Sequence, residues 1–191
     1  MDERAQRIVN TAMALAAKDG FAAMRLRDVA AHAQVALGTV YRRFRSKEEI
    51  LIAAMEVQAE RLKLYLSQYP PQGESPQERV ESLFAMITDA LCSEANLGQA
   101  LVRSIASGDP HITDRVASFH AMTTIMVMSA MRDVPYDDSA EWGGLQDEDE
   151  REVAAILQQV WFASLVGWAG GVHDELRILR QVRTAARRLL G

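Results

Sequence analysis

The 191-residue sequence has one cysteine, five prolines and no long apolar run. Cys92 has no second cysteine with which to form an internal disulfide, so we expect it to be a small buried apolar residue in a helix. The apolar runs fall short of the ~18 residues that cross a bilayer, and the first residues lack the layout of a signal peptide. A disulfide framework and a membrane span are therefore not expected, and we predict a cytoplasmic protein.

Patterns typical of β-strands are also lacking. No stretch alternates apolar and polar residues for long, and the alanine-rich sequence favours helices, which predicts an all-α fold. A first helix is expected over 3–18, with Gly20 as its C-cap. Ser46 and Ser75 are each followed three residues later by a glutamate, which is the pattern of a capping box at a helix start. Later helices are expected over 76–91, 97–107, about 110–132, 153–168 and 176–190, with an acidic solvated loop over 133–152.

Two short helical patterns flank a three-residue break within residues 24–47. The first places Val29, Ala30 and Ala33 on one face, and the second places Val40 and Phe44 on another. Two helices joined by so short a turn form a helix-turn-helix, whose second helix can enter the major groove of DNA. The sequence therefore predicts a double-stranded DNA partner.

The second helix of this motif carries small, polar and cationic residues beside its packing residues. Gly38 allows a close backbone approach to the duplex, and Thr39 is short enough to bond a phosphate. Of Arg42 and Arg43, at least one is expected to face the groove or a flanking phosphate, and an arginine that reaches guanine would bind it bidentately. The predicted DNA-binding residues are Arg27, Leu37, Gly38, Thr39, Tyr41, Arg42, Arg43 and Lys47.

The net charge of −5 hides an uneven distribution along the chain. Residues 1–50 hold nine Lys or Arg and six Asp or Glu, a net charge of +3, whereas residues 51–191 hold twelve and twenty, a net charge of −8. The positive charge coincides with the helix-turn-helix. This distribution is typical of a small DNA-reading module carried by a larger domain that has another task.

The segment Gly-Thr-Val-Tyr-Arg-Arg-Phe-Arg-Ser-Lys-Glu-Glu-Ile over 38–50 resembles the TetR family of bacterial transcriptional regulators. Arg-Asp-Val-Ala over 27–30 and Gly-Phe at 20–21 extend the likeness, which covers residues 4–66. It implies a nine-helix fold, a homodimer formed by the last two helices, a palindromic operator, and repression until a small molecule enters the larger domain. It also implies that Tyr41 and Lys47 bind backbone phosphates.

The resemblance further implies a domain division. Residues 1–47 are expected to bind DNA, and residues 48–191 to bind a ligand and dimerise, with helix 48–67 as the connector. Met24, Gln34 and Ala36 depart from the threonine, glycine and serine that many members of the family have there. Other contacts or water must then stabilise these helix ends, because a missing side-chain cap costs about 1 kcal/mol.

Three further segments resemble the actinobacterial repressors of cholesterol catabolism, a subgroup of this family: residues 97–103, residues 160–168 and residues 188–191. This likeness implies a steroid or another acyl-coenzyme A thioester as effector. The methionines and aromatic residues of the larger domain also suit a pocket for a large apolar ligand. The predicted ligand-binding residues are Phe84, Met86, Arg103, Phe119, Met122, Met126, Trp161 and Trp168.

The apolar stripes of the last two helices are broad enough to contact both their own domain and a second copy of the chain. A four-helix bundle across a two-fold axis is the expected homodimer. Its predicted residues are Val153, Leu157, Trp161, Leu165, Leu176, Leu179, Val182 and Ala186.

Sequence motifs for catalysis are absent. No His-Glu-x-x-His, Cys-x-x-Cys or glycine-rich phosphate loop occurs, and the four histidines are scattered at positions 32, 111, 120 and 173. We expect no enzyme, no metal and no cofactor. A helical lipid-binding protein without DNA binding and a non-metal helical enzyme are the alternatives to a regulator.

Overall fold

The computed structural model describes residues 1–136 and 148–191, and within these ranges the chain forms helices and no strands. The predicted all-α fold is confirmed. Most of the expected acidic loop lies outside the described residues, although its last residues, 148–152, begin a helix. None of the described helices is long and apolar enough to cross a membrane. The helices are α1 (Glu3–Ala23), α2 (Leu26–His32), α3 (Leu37–Arg43), α4 (Lys47–Gln68), α5 (Pro76–Cys92), α6 (Ala95–Ile105), α7 (Thr113–Arg132, after a 3-10 turn at Pro110–Ile112), α8 (Glu148–Ala169) and α9 (Glu175–Leu189).

Local signals set several of these helix ends. Gly20 interrupts α1 with a φ of 75°, in the left-handed region that favours glycine, and a last helical turn follows it. The Ser46 hydroxyl accepts the N–H of Glu49 at 3.1 Å, as its capping role predicts. The Glu49 carboxylate, however, accepts the N–H of Arg45 at 2.6 Å, one residue before the expected partner. The same arrangement recurs at Ser75.

The chain divides into two compact units. Unit 1 comprises residues 1–59 and 91–116, and unit 2 comprises residues 60–90 and 117–191, so the division falls within α4, α5 and α7. In unit 1, α6 packs against α1, and Asn96 Nδ2 donates to Ala17 O at 3.0 Å. Unit 1 therefore extends beyond residue 47, where the DNA-binding domain is expected to end. That expected boundary divides the chain by function, and it stays a prediction.

Unit 1 has a core of small and branched apolar side chains. Ile8, Val9, Val29, Val40 and Ile50 are fully buried there. Close packing of this kind fixes the orientation of the short α2 and α3, which are too short to be stable alone.

Unit 2 is held together by apolar packing and by one buried arginine. Phe84, Met128 and Leu157 are fully buried, and α8 packs against α9. Arg79 of α5 donates from Nε to Ala130 O at 2.8 Å and from Nη2 to Met131 O at 2.9 Å. The guanidinium thereby satisfies carbonyls at the end of α7 that a helix terminus leaves without an intrahelical donor.

Candidate functional site

The turn between α2 and α3 lies in unit 1, at the position along the chain that the sequence predicts. Gln34 adopts a φ of 54°, and the N–H of Val35 bonds Ala30 O at 3.0 Å. Neither α2 nor α3 has a side-chain hydrogen bond at its N-cap. Met24, which stands where many family members have a capping threonine, is buried, and the N-cap of α2 is the next residue, Arg25. Packing thus contributes at the start of α2, where a side-chain cap is missing.

Helix α3 has one buried and one exposed face. Val40 and the following Phe44 are buried, as their spacing predicts. The exposed positions of α3 are Leu37, Gly38, Tyr41, Arg42 and Arg43, and Thr39 is half-buried. Six of the eight predicted DNA-binding residues therefore lie together on one short helix.

Side-chain contacts order both arginines of α3. Arg42 donates from Nη2 to Thr39 Oγ1 at 3.1 Å. Arg43 forms an ion pair with Asp2, whose other carboxylate oxygen accepts the N–H of Ala5 and caps α1. The hydrogen bond from Ala5 is the main cause of a lowered pKa of Asp2; desolvation opposes it, and the contact with Arg43 lowers the pKa further. Sequence reasoning did not single out Asp2.

The remaining predicted DNA-binding cations differ in their surroundings. Lys47 donates from Nζ to Phe21 O at 2.9 Å and lies 3.9 Å from the centre of the Phe21 ring. It therefore ties the start of α4 to the end of α1, with one of its three ammonium protons. Arg27 is exposed and has Asp28 as a neighbour at 3.6 Å.

A second polar cluster in unit 1 connects α4 with the turn before α7. Arg115 pairs bidentately with Glu56, at 2.6 and 2.7 Å. Arg45, in the loop after α3, donates from Nη1 to His111 Nδ1 at 3.0 Å. Residues 111–115 thus hold the segment that follows α3, through contacts that the sequence did not predict.

The predicted ligand-binding residues of unit 2 include an aromatic cluster. The Phe84 and Trp161 ring centres lie 5.7 Å apart, and Phe119 lies 6.5 Å from Trp161. Phe84, Met126, Trp161 and Trp168 are buried, whereas Met86, Phe119 and Met122 are half-buried. Arg103 differs from this set because it is exposed on α6, in unit 1.

Two polar pairs lie within this aromatic cluster. Trp161 Nε1 donates to Thr88 Oγ1 at 3.0 Å, and Gln158 Nε2 donates to His120 Nδ1 at 2.7 Å. The His120 ring meets Phe162 edge-on at 4.8 Å. Burial lowers the pKa of His120, which favours the neutral ring. An imidazole oriented by Gln158 therefore sits among apolar rings.

Most of the predicted dimerisation residues are buried by packing within their own chain. Five of them are buried: Leu157, Trp161, Leu165, Val182 and Ala186. Val153 and Leu179 are half-buried, and Leu176 is exposed. Ile156 and Val166, which the prediction omitted, are exposed apolar residues of α8. The dimer stays a prediction, and these two side chains are better placed for it.

Comparison with known proteins matches both halves of the chain. The family described as bacterial regulatory proteins, tetR family, matches residues 8–54, and the family described as tetracyclin repressor-like, C-terminal domain, matches residues 73–189. The HTH-type transcriptional repressor KstR of Rhodococcus jostii is 30% identical over 189 residues, which cover 99% of this chain and 84% of that protein.

Solved structures share the fold. A TetR transcriptional regulator from Rhodococcus sp. RHA1 superposes with a TM-score of 0.78 at 24% identity, covering 98% of this chain and 97% of that one. Thermus thermophilus FadR, a TetR family transcriptional repressor in complex with lauroyl-CoA, gives a TM-score of 0.67 at 21% identity, covering 97% and 92%.

Proposed function

This chain belongs to the tetR family of bacterial regulatory proteins, and we propose that it is a transcriptional repressor released from DNA by a small apolar effector. A homodimer binds a palindromic operator, with one α3 in each half-site. The observation that carries the proposal is the exposed face of α3, which presents Gly38, Tyr41, Arg42 and Arg43 beside a buried seam. A helix of this kind suits the major groove.

The division of labour along the chain follows from charge and burial. Residues 1–47 supply the DNA-binding surface, and residues 48–191 bind the effector and form the dimer, with α4 as the connector. The net charge of +3 over residues 1–50 supports this assignment, because phosphate contacts supply most of the affinity for DNA. A regulator of this kind acts in the cytoplasm, where the bacterial chromosome lies.

The aromatic cluster of unit 2 supports an apolar effector. Phe119 is half-buried beside the buried Trp161, and Met122 of the same helix is also half-buried, which leaves apolar surface for a ligand to cover. The His120–Gln158 pair adds a polar group that can orient a carbonyl or hydroxyl. We propose an acyl-coenzyme A thioester, with a steroid acyl group as the first candidate, given the likeness to repressors of cholesterol catabolism. FadR with lauroyl-CoA is a precedent in the same fold.

The effector acts by shifting a population. It binds more tightly to a conformation whose recognition helices no longer match the half-site spacing, and it thereby lowers the affinity for the operator. Phe119 and His120, the proposed effector residues, lie on α7.

DNA binding is tested with the promoter fragment beside the gene. If each half of the dimer engages about four phosphates, log Kobs should fall with log salt with a slope near −7, from ~0.9 per phosphate. Tyr41→Ala should weaken binding about tenfold, since it removes a phosphate contact and packing against the duplex. Tyr65→Ala is the matched control, because Tyr65 is similarly exposed, at 49% against 55% for Tyr41, and lies outside α3. Equal losses for the two variants, or a slope near zero, would contradict the proposal.

The effector is tested separately by thermal shift and by release of DNA. Lauroyl-CoA and a steroid coenzyme A thioester should raise the melting temperature and weaken operator binding, whereas free coenzyme A should do neither. Mass action predicts about 2.7 kcal/mol of stabilisation at a hundredfold excess over Kd. Uniformly null shifts would remove the thioester proposal and leave the DNA-binding function standing.

The dimer surface is tested by charge insertion. Val166→Asp on the exposed face of α8 should convert the dimer to a monomer in sedimentation, because an unpaired carboxylate would be buried at the interface. Leu64→Asp on α4 is the control, since Leu64 is also an exposed apolar helix residue. A wild-type monomer at micromolar concentration would refute the dimer.

A further inference from the structure

Asp2 and Arg43 form an ion pair between the start of α1 and the end of α3. One carboxylate oxygen of Asp2 accepts the N–H of Ala5 at 2.8 Å, and the other lies against Arg43 Nη2. The backbone thereby fixes the carboxylate, and the carboxylate fixes the guanidinium. The side chains of Asp2 and Arg43 are 54% and 32% exposed, so the ion pair contributes little to the free energy of folding. Its main effect is therefore expected in DNA binding.

The pairing changes what Arg43 can recognise. A guanidinium whose charge is balanced by a carboxylate loses much of its attraction for phosphate, and the carboxylate itself is repelled by the DNA backbone. Its hydrogen-bond donors are retained, however: arginine has five, and the contact with Asp2 uses one of them. A neutralised, oriented fork of donors suits the uncharged O6 and N7 acceptors of guanine better than a phosphate.

Arg42 provides the contrast on the same helix. Its Nη2 donates to the neutral Thr39 hydroxyl, which leaves its positive charge unbalanced by that contact. Arg42 thus keeps the properties of a phosphate ligand, whereas Arg43 does not. The two adjacent arginines are distinguished by their partners rather than by their positions in the sequence.

We propose that Asp2 is a positioning residue for Arg43, and that the pair commits Arg43 to a guanine base edge in each half-site. This inference rests on the DNA-binding function proposed above. It assigns a role in sequence recognition to the N-cap residue of α1, outside the helix-turn-helix.

The test compares four proteins on a library of random-sequence duplexes: wild type, Arg43→Ala, Asp2→Asn and Glu3→Gln. Asparagine caps helices as well as aspartate does, so Asp2→Asn keeps the cap and removes only the charge. Glu3→Gln is the matched control, because it removes the same charge from the same exposed helical turn without touching Arg43. Base preferences come from sequencing the selected duplexes, and salt titrations are run on the best sequence.

Wild type and Glu3→Gln should prefer one guanine per half-site by about 5- to 150-fold, the discrimination typical of a bidentate arginine. Arg43→Ala should accept all four bases there with an unchanged salt slope. Asp2→Asn should reduce the preference about two- to fivefold, in line with the weak coupling of exposed pairs.

Two results would overturn the inference. A base profile for Asp2→Asn identical to wild type would make Asp2 a helix cap only. An Arg43→Ala salt slope shallower by ~0.9 per half-site, with an unchanged base profile, would make Arg43 a phosphate ligand. A wild-type protein that selects no sequence would instead refute the DNA-binding function itself.

Discussion

Replacing Arg79 by methionine should lower the free energy of unfolding by about 3–5 kcal/mol, the loss expected when two buried hydrogen bonds from a charged donor are removed. The guanidinium makes two short hydrogen bonds, to Ala130 O and Met131 O, and a longer one to Gly73 O at 3.3 Å. Each charged hydrogen bond contributes about 1.5–3 kcal/mol. Methionine fills much of the space but takes the short hydrogen bonds from both carbonyls, and Ala130 O keeps only the long one from Asp133 N at 3.4 Å. Relief of the buried charge offsets part of the loss.

Urea unfolding measures this effect at a fixed protein concentration, because dimerisation would make the midpoint depend on concentration. With a slope of ~2 kcal/mol per molar urea, the midpoint should fall by about 1.5–2.5 M. Arg7→Met is the control: Arg7 is exposed on α1, and the change should cost less than about 0.5 kcal/mol. A loss below about 1 kcal/mol for Arg79→Met would show that water can replace the guanidinium, and the reasoning would fail.

Two further predictions concern the aromatic cluster of unit 2. Burial lowers the pKa of His120 in the folded state, so the unfolded chain takes up a proton at a higher pH than the folded chain does. The free energy of unfolding should therefore fall as the pH drops below about 6.5 towards the folded pKa. His120→Asn should remove this part of the pH dependence, and an unchanged profile of melting temperature against pH would contradict it. Trp161→Phe should cost about 1–3 kcal/mol by leaving the Thr88 hydroxyl unpaired, and adding Thr88→Val should then cost less than it does in the wild type. Equal costs in the two backgrounds, measured by denaturation, would show that the hydrogen bond contributes nothing.

The features predictable from sequence are those whose signals are local. The break at Gly20, the caps at Ser46 and Ser75, and the turn containing Gln34 each depend on residues within about four positions of one another. The exposed face of α3 follows from helical periodicity in the same way. Such signals do not depend on the rest of the fold. The structure matches the serine caps, although the two glutamates bond one residue earlier than a capping box predicts and a helical turn follows Gly20.

The contacts that were missed join residues far apart in the sequence. Arg79 and Ala130 are separated by 51 positions, and Glu56 and Arg115 by 59, so nothing in the local pattern marks them as partners. The broad stripe of α8 shows a related limit. Its width indicated two packing partners, but only the structure shows that Leu157 is buried within the chain whereas Val166 is exposed.

The position of the tryptophans has a practical consequence for optical measurements. All three occur in residues 117–191, and two of them, Trp161 and Trp168, lie on α8, whereas unit 1 contains none. Trp161 emission therefore reports on the aromatic cluster, and the helix-turn-helix contains no emitter. A tryptophan introduced in place of the exposed Tyr41 would add an emitter on α3, and the difference between proteins with and without it would report on that helix.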